Sequence, residues 1–257
     1  MKLYRLLLTA LVLAPLITIQ AQDEEATSPV KATPEPNMLK VNLTAIPLKN
    51  YSLQYERVMS KKLSLALSFR IMPNTGLPFK SQILDMVGDD PDTRDVVNTF
   101  KMSNIAITPE LRWYVGKRGY GRGFYIAPFY RYAQFETSQM QFDYDNGTGG
   151  QETINLSGKL TSHTGGLMFG AQWPLGKSLV LDWWIFGPHY GAGNGDFTGL
   201  SSQPLTPSEQ ADLRDELENL DIPLTTKKVT VTANSARLQL DGPWAGIRAG
   251  FSLGFRF

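Results

Sequence analysis

The 257-residue sequence contains no cysteine. That excludes disulfides, thiolate metal sites, catalytic thiols and a lipid-modified N-terminal cysteine, without fixing a compartment. An excess of one charge is also missing. Lys and Arg number 25 against 24 Asp and Glu, a net +1, so nothing offers a basic hold on nucleic acid. After the first 21 residues no run approaches 18 consecutive apolar residues, so no membrane-spanning helix is expected. HExxH and Walker patterns are absent, and only two histidines are available for general acid–base work. "GFSLG", Gly250 to Gly254, matches G-x-S-x-G. That motif needs a sharp strand-to-helix turn, and Ser252 sits within a strand pattern near the chain end. "DYDNGTGGQE" places Asp143 and Asp145 two apart as in a calcium loop. Its fifth position is Gly147 and its twelfth is Ile154, so an Asn-Gly hairpin tip is the expectation and no metal site is assigned.

What is present begins with "MKLYR" and the apolar stretch Leu6 to Ile19, followed by Gln20-Ala21. A basic start, a short apolar core and a small residue before a polar stretch form a secretory signal peptide, assigned to residues 1–21. Its removal takes Lys2 and Arg5 and leaves a net charge of −1. Residues 22–37, acidic, Pro-containing and free of aromatics, read as a disordered periplasmic leader. Residues 38–257 remain for one domain.

From Met38 onward the dominant period is two. Leu39, Val41 and Leu43 alternate with Lys40 and Asn42; Tyr51, Leu53 and Tyr55 with Ser52, Gln54 and Glu56. Leu63, Leu65, Leu67, Phe69 and Ile71 alternate with Ser64, Ala66, Ser68 and Arg70. Five further runs follow, around Ile105–Val115, Phe124–Arg131, Thr164–Trp173, Ser178–Ile185 and Ala245–Phe257. Alternation repeated this often predicts strands. Connections are tight at "MSKK", "GKRGYG" and "PLGK" and long at Met72–Met102 and His189–Gly242, although the first connection, "PLKN", is short as well.

Apolar residues could face inward, as in a lipocalin-like barrel, or outward to lipid. Both charge signs fall mid-strand on the polar face, and glycines cluster there with them. Aromatics gather on the apolar face near the short turns: Trp113, Phe124, Trp173, Phe255 and Phe257. These features favour the inverted arrangement. The expected fold is all-β: an eight-stranded antiparallel up-and-down transmembrane β-barrel with short periplasmic turns and long, partly helical extracellular loops. An even strand number puts both termini at the periplasmic end.

The chain ends on Phe257, preceded at every second position by Phe255, Leu253 and Phe251. This resembles the sorting signal read by the bacterial outer-membrane assembly machinery. "LKVNLTAIPLKNYSLQYERVMSKKLSLALSFR" further resembles an uncharacterised family of small outer-membrane barrels common in Bacteroidota, and the architecture resembles OmpA/OmpX-type barrels. The resemblance implies residence in the cell outer membrane, contact with its lipid and lipopolysaccharide, and a monomer. No peptidoglycan-binding domain follows the barrel, so a cell-wall anchoring role is not carried over.

The candidate site residues fall into two sets. Lys40, Glu56, Glu110, Arg112, Arg131, Asp182 and Arg248 share the polar face and are expected to pair in the lumen, because unpaired charges there are costly. His163 and His189 share outward parity if the turn centres on Gly176. That would set them opposite each other about 25 Å up the strands, at the outer leaflet. A lipid-facing His invites comparison with outer-membrane lipid A deacylases and acyltransferases, but Gly165 stands where the deacylase-like His-x-Ser spacing requires serine.

In the last long connection, Thr206, Pro207 and Glu209 form a capping box with proline at the first turn, predicting a helix to about Leu220. "KVTVTANSARLQL" alternates again and reads as a ribbon feeding the closing strand. Short helices are expected near Ser81–Val87 and Thr93–Phe100. The functional expectation is a non-catalytic barrel with a plugged, charged lumen and no cofactor, serving envelope integrity or surface binding through its loops. The alternatives are a small-solute channel and a lipid A-modifying enzyme.

Overall fold

The computed structural model describes residues 35–257 except 89–90, 146–150, 202 and 221. The proposed signal peptide and most of the leader lie outside the described residues. Asn37, the last leader residue, already opens the first strand.

Nine antiparallel strands make one ring-like sheet: β1 (Asn37–Asn42), β2 (Tyr51–Val58), β3 (Leu63–Gly76), β4 (Lys101–Tyr114), β5 (Gly123–Asp145), β6 (Gln151–Leu175), β7 (Leu179–Leu200), β8 (Thr226–Thr232) and β9 (Ser235–Arg256). Consecutive strands pair from β1 to β7; β9 then pairs with β7 and also with β1. Leu39↔Phe255 and Val41↔Leu253 close the ring. Backbone bonds between Asn37 and Phe257, 3.0 and 2.9 Å, tie the start of β1 to the residue that follows β9.

The strand count departs from eight. The "KVTVTANSARLQL" segment is a full hairpin, in which β8 pairs with the upper part of β9 from Thr226↔Asp241 to Thr232↔Ser235. Alternating Val and Thr suit a strand whether or not it joins the ring, so periodicity alone could not exclude it from the count.

The wall is uneven. β1 and β2 are 6 and 8 residues long, whereas β5, β6, β7 and β9 have 22 to 25. At about 3.3 Å per residue, β2 is roughly 25 Å long and β6 roughly 80 Å. Short turns follow β2, β4 and β6 on one edge; Gly176, at φ 71°, supplies the left-handed residue in the last of them.

Among the described residues three helices lie on the long-loop side: α1 (Lys80–Val87), α2 (Pro91–Thr99) and α3 (Pro207–Glu218). Thr206 caps α3 by accepting from the Glu209 amide, and the Glu209 carboxylate accepts from the Thr206 amide at 2.6 Å. Leu213 and Leu217, four apart on one face of α3, are fully buried with Leu156, Leu205, Val231, Ala236 and Leu238. The tall half of the sheet therefore carries its own apolar core, formed with the α3 segment. Thr206→Ala is expected to lower the local stability of α3 by about 1 kcal/mol. Hydrogen exchange should read this as faster exchange of the α3 amides, with the β3–β4 amides unchanged.

Alternation sorts the side chains as the period of two requires. Leu39, Val41, Leu53, Leu65, Leu67, Phe69, Ile107 and Leu111 are exposed on the outside of the ring. Met38, Lys40, Gln54, Glu56, Arg112, Tyr114, Tyr125, Gln172 and Asp182 are buried inside. No helix among the described residues is long and apolar enough to cross a membrane, which says nothing of strands.

Candidate functional site

The interior near the short-turn edge is a connected charge network. Six strands supply it: Lys40 from β1, Glu56 from β2, Glu110 and Arg112 from β4, Asp182 from β7 and Arg248 from β9, with Tyr125 from β5 beneath. Lys40, Glu56, Arg112 and Asp182 have side chains with no exposure at all.

Arg112 is the hub. Its Nη1 reaches Asp182 Oδ2 at 2.6 Å and Glu56 Oε2 at 2.9 Å; its Nη2 reaches Glu110 Oε2 at 3.0 Å and Gln54 Oε1 at 2.9 Å. The guanidinium also lies 4.4 Å over the Tyr125 ring. Lys40 Nζ donates to Asp182 Oδ2 at 2.7 Å and contacts Glu56 and Gln172. Glu110 uses its second oxygen for Arg248 Nη2, 2.7 Å away. The remaining acceptor positions are filled by neutral donors: Tyr114 Oη to Glu56 at 2.7 Å, Ser64 Oγ to Glu56 at 2.5 Å and Tyr125 Oη to Asp182 at 2.8 Å. Three cations meet three carboxylates, so this set is electrically neutral. Such pairing is what makes buried charge tolerable.

Glycines make the packing possible. A Cβ on Gly254 would run into the Lys40 chain, and one on Gly170 would strike the Tyr125 ring that holds Asp182. Their lack of a side chain is what admits those larger neighbours.

Six of the seven charges named from the sequence fall within this network. Arg131 does not. It lies further up the ring, and its Nη1 donates to Thr108 Oγ1 at 3.1 Å. Arg70, on the same polar face but absent from the candidate set, donates to Asn104 Oδ1 from Nε (3.1 Å) and Nη2 (2.7 Å). Tyr114, Tyr125, Gln54 and Gln172 were also missed. Their signal was shared parity with the charges, obscured because tyrosine and glutamine occur on either face.

The two histidines are not brought together. His163 pairs with Ala192 and His189 with Gly166. A one-residue register shift between Phe169 and Gly170 on one side, and between Trp184 and Gly187 on the other, marks a bulge in β7 at Ile185 and Phe186. Beyond a bulge every side chain changes face. His189 therefore turns inward, edge-on to Phe129 at 6.0 Å, instead of outward. His163 is exposed; its Nδ1 is 2.6 Å from Tyr130 Oη, and Tyr132 packs beside the ring at 5.2 Å.

The C-terminal residues line up on the outer surface. Phe251 stacks on Trp183 at 5.5 Å, and Trp183 on Trp173 at 6.4 Å; Phe255 stacks on Phe257 at 6.3 Å. Among the described residues no group of three or more His, Asp or Glu side chains is arranged to hold a metal ion. The side chains of the Asp143–Asp145 stretch, and all of residues 146–150, lie outside the described residues.

No curated protein and no solved structure matches the chain. A family model described as a protein of unknown function, DUF3575, matches residues 7–187, well over half of the sequence. That stretch contains five of the six network charges and ends within β7, just past the bulge. The chain belongs to the DUF3575 family.

Proposed function

We propose that this protein is an outer-membrane β-barrel of the small OmpA/OmpX-like kind found in Bacteroidota, non-catalytic, with a plugged and charged lumen. It serves envelope integrity or binds ligands at the cell surface through the loops and tall strands of its outer half. The observation that carries this is the inversion of polarity. Leu53, Leu65, Leu67, Ile107 and Leu111 stand 44–52% exposed outside, while Lys40, Glu56, Arg112 and Asp182 are fully buried inside. A water-soluble ring has the opposite arrangement, and an apolar belt of this extent fits lipid.

The dimensions support it. The outward apolar positions span Leu63–Ile71 on β3 and Ile105–Val115 around β4, which after a tilt of about 40° amounts to roughly 20–25 Å, the height of an outer-membrane apolar band. Trp113, Phe124, Phe255 and Phe257 lie exposed near the short turns, where an interfacial girdle belongs. The N-terminal signal-peptide pattern supports export. Lipid and lipopolysaccharide would then surround a monomer, and the assembly machinery would read Phe251, Leu253, Phe255 and Phe257.

The network favours a plug over a channel, because Arg112, Lys40 and their carboxylates fill the short-turn half of the interior with no exposed side-chain surface. Two measurements test the proposal. Unboiled protein should migrate differently from boiled protein on a denaturing gel, and planar-bilayer recordings should show no stable conductance. Identical migration would remove the barrel reading; reproducible conductance steps would replace the plug with a channel.

A further inference from the structure

Above the neutral network the interior changes character. A cavity of about 170 Å³ lies beneath the β1–β2 connection and is lined by three arginines, Arg70 from β3, Arg131 from β5 and Arg248 from β9. Ser52, Ser68 and Thr108 add hydroxyls to its wall. The six network charges already cancel, so Arg70 and Arg131 stand outside that balance. Among the described residues neither has a carboxylate within ion-pair distance; their partners, Asn104 and Thr108, are neutral. Arg248 spends Nη2 on Glu110, while its Nη1 is buried without a hydrogen-bond partner, on a side chain only 8% exposed. Phe129 and Trp184 flank that guanidinium at 4.5 and 4.8 Å and fix its position without neutralising it.

A plug needs none of this. Neutral side chains would fill the same space without setting three like charges around one cavity. We infer that the upper lumen is an anion-binding site for a tetrahedral oxyanion of the phosphate type, held by Arg70, Arg131 and Arg248. Guanidinium forks match the oxygen geometry of phosphate, and three of them around one centre suit an ion with at least three acceptor oxygens better than a two-oxygen carboxylate. The volume is that of about six waters at roughly 30 Å³ each, enough for a five-atom oxyanion.

Entry is offered at the low side of the ring, where β1 and β2 are shortest and Asn42 and Asn50 line the cavity. The phosphate can be free in solution or part of a lipid headgroup at the rim. The site does not depend on membrane insertion; only the lipid source rests on the function proposed above.

The test uses the full chain folded in phosphate-free detergent micelles, its folding checked by heat-modifiable gel migration. Inorganic phosphate is titrated in by calorimetry, and monophosphoryl lipid A is titrated separately in the same detergent. Saturable binding of inorganic phosphate supports a free oxyanion; saturable binding of the lipid alone supports a headgroup. In either case Arg131→Gln and Arg70→Gln should weaken binding by about tenfold or more, and Lys177→Gln on the β6–β7 turn should leave it unchanged. Arg248→Gln is expected to act likewise. Should it fail to fold by releasing Glu110, the other two variants decide. Folded wild type that binds neither probe, or an Arg131→Gln variant that binds as wild type does, overturns the assignment.

Discussion

Arg112→Met is expected to destabilise the folded ring by about 3–5 kcal/mol, the usual cost of removing one partner from a buried ion-pair cluster. Arg112 touches all three carboxylates, Glu56, Glu110 and Asp182, at 2.6 to 3.1 Å. Without it Lys40 still serves Glu56 and Asp182 and Arg248 still serves Glu110, so three acids share two cations and one negative charge is left uncompensated in a dry interior. Methionine keeps much of the volume, which separates lost charge from a simple cavity. Urea titration of the protein folded in lipid vesicles gives the free energy. A difference below about 1 kcal/mol would mean that the carboxylates reach water and the plug is open. Asp182→Asn removes the charge that Arg112 would otherwise leave stranded. The Arg112→Met, Asp182→Asn double variant should therefore lose less than the sum of the single losses, by about 0.5–3 kcal/mol.

The facing of each strand was legible because apolar and polar residues alternate with few exceptions, and Lys40, Glu56, Arg112 and Asp182 all share the inward parity. Helix α3 was legible too, since Thr206, Pro207 and Glu209 encode its start locally. What escaped was whatever depends on a single inserted residue or on distance. Nothing in "LDWWIFGPHY" announces that Ile185 or Phe186 is the extra residue in β7; both are apolar, and the bulge shows only in how β6 and β9 pair around them. His189 changed faces for that reason alone. Ala171, two residues from outward Phe169 and so at outward parity, is completely buried because its paired neighbours Phe124 and Trp183 are large enough to cover it. The arginine cavity was invisible for another reason. Arg131 counts among the charges expected to pair and Arg70 does not, and only three-dimensional pairing reveals that the carboxylates are already taken.

Leu67→Arg carries the other large expected effect, because it asks what solvent the outer surface meets. Leu67 is 52% exposed at the middle of the β3 apolar stretch, between Tyr55 on β2 and Pro109 on β4. In lipid vesicles an arginine there should cost about 2–4 kcal/mol, while Val115→Arg, beside the short β4–β5 turn, should cost about 0–1 kcal/mol. The gradient is the informative part. Both positions are outward, exposed and aliphatic, so loss of packing alone predicts similar penalties, whereas lipid predicts a penalty that falls toward the headgroups where the side chain can snorkel. A ring standing in water gives a third pattern: arginine at either position would be neutral or would improve solubility by breaking an apolar patch. Equal small effects at the two sites would thus place the apolar belt against something other than a bilayer, with the interior charge network left as it stands.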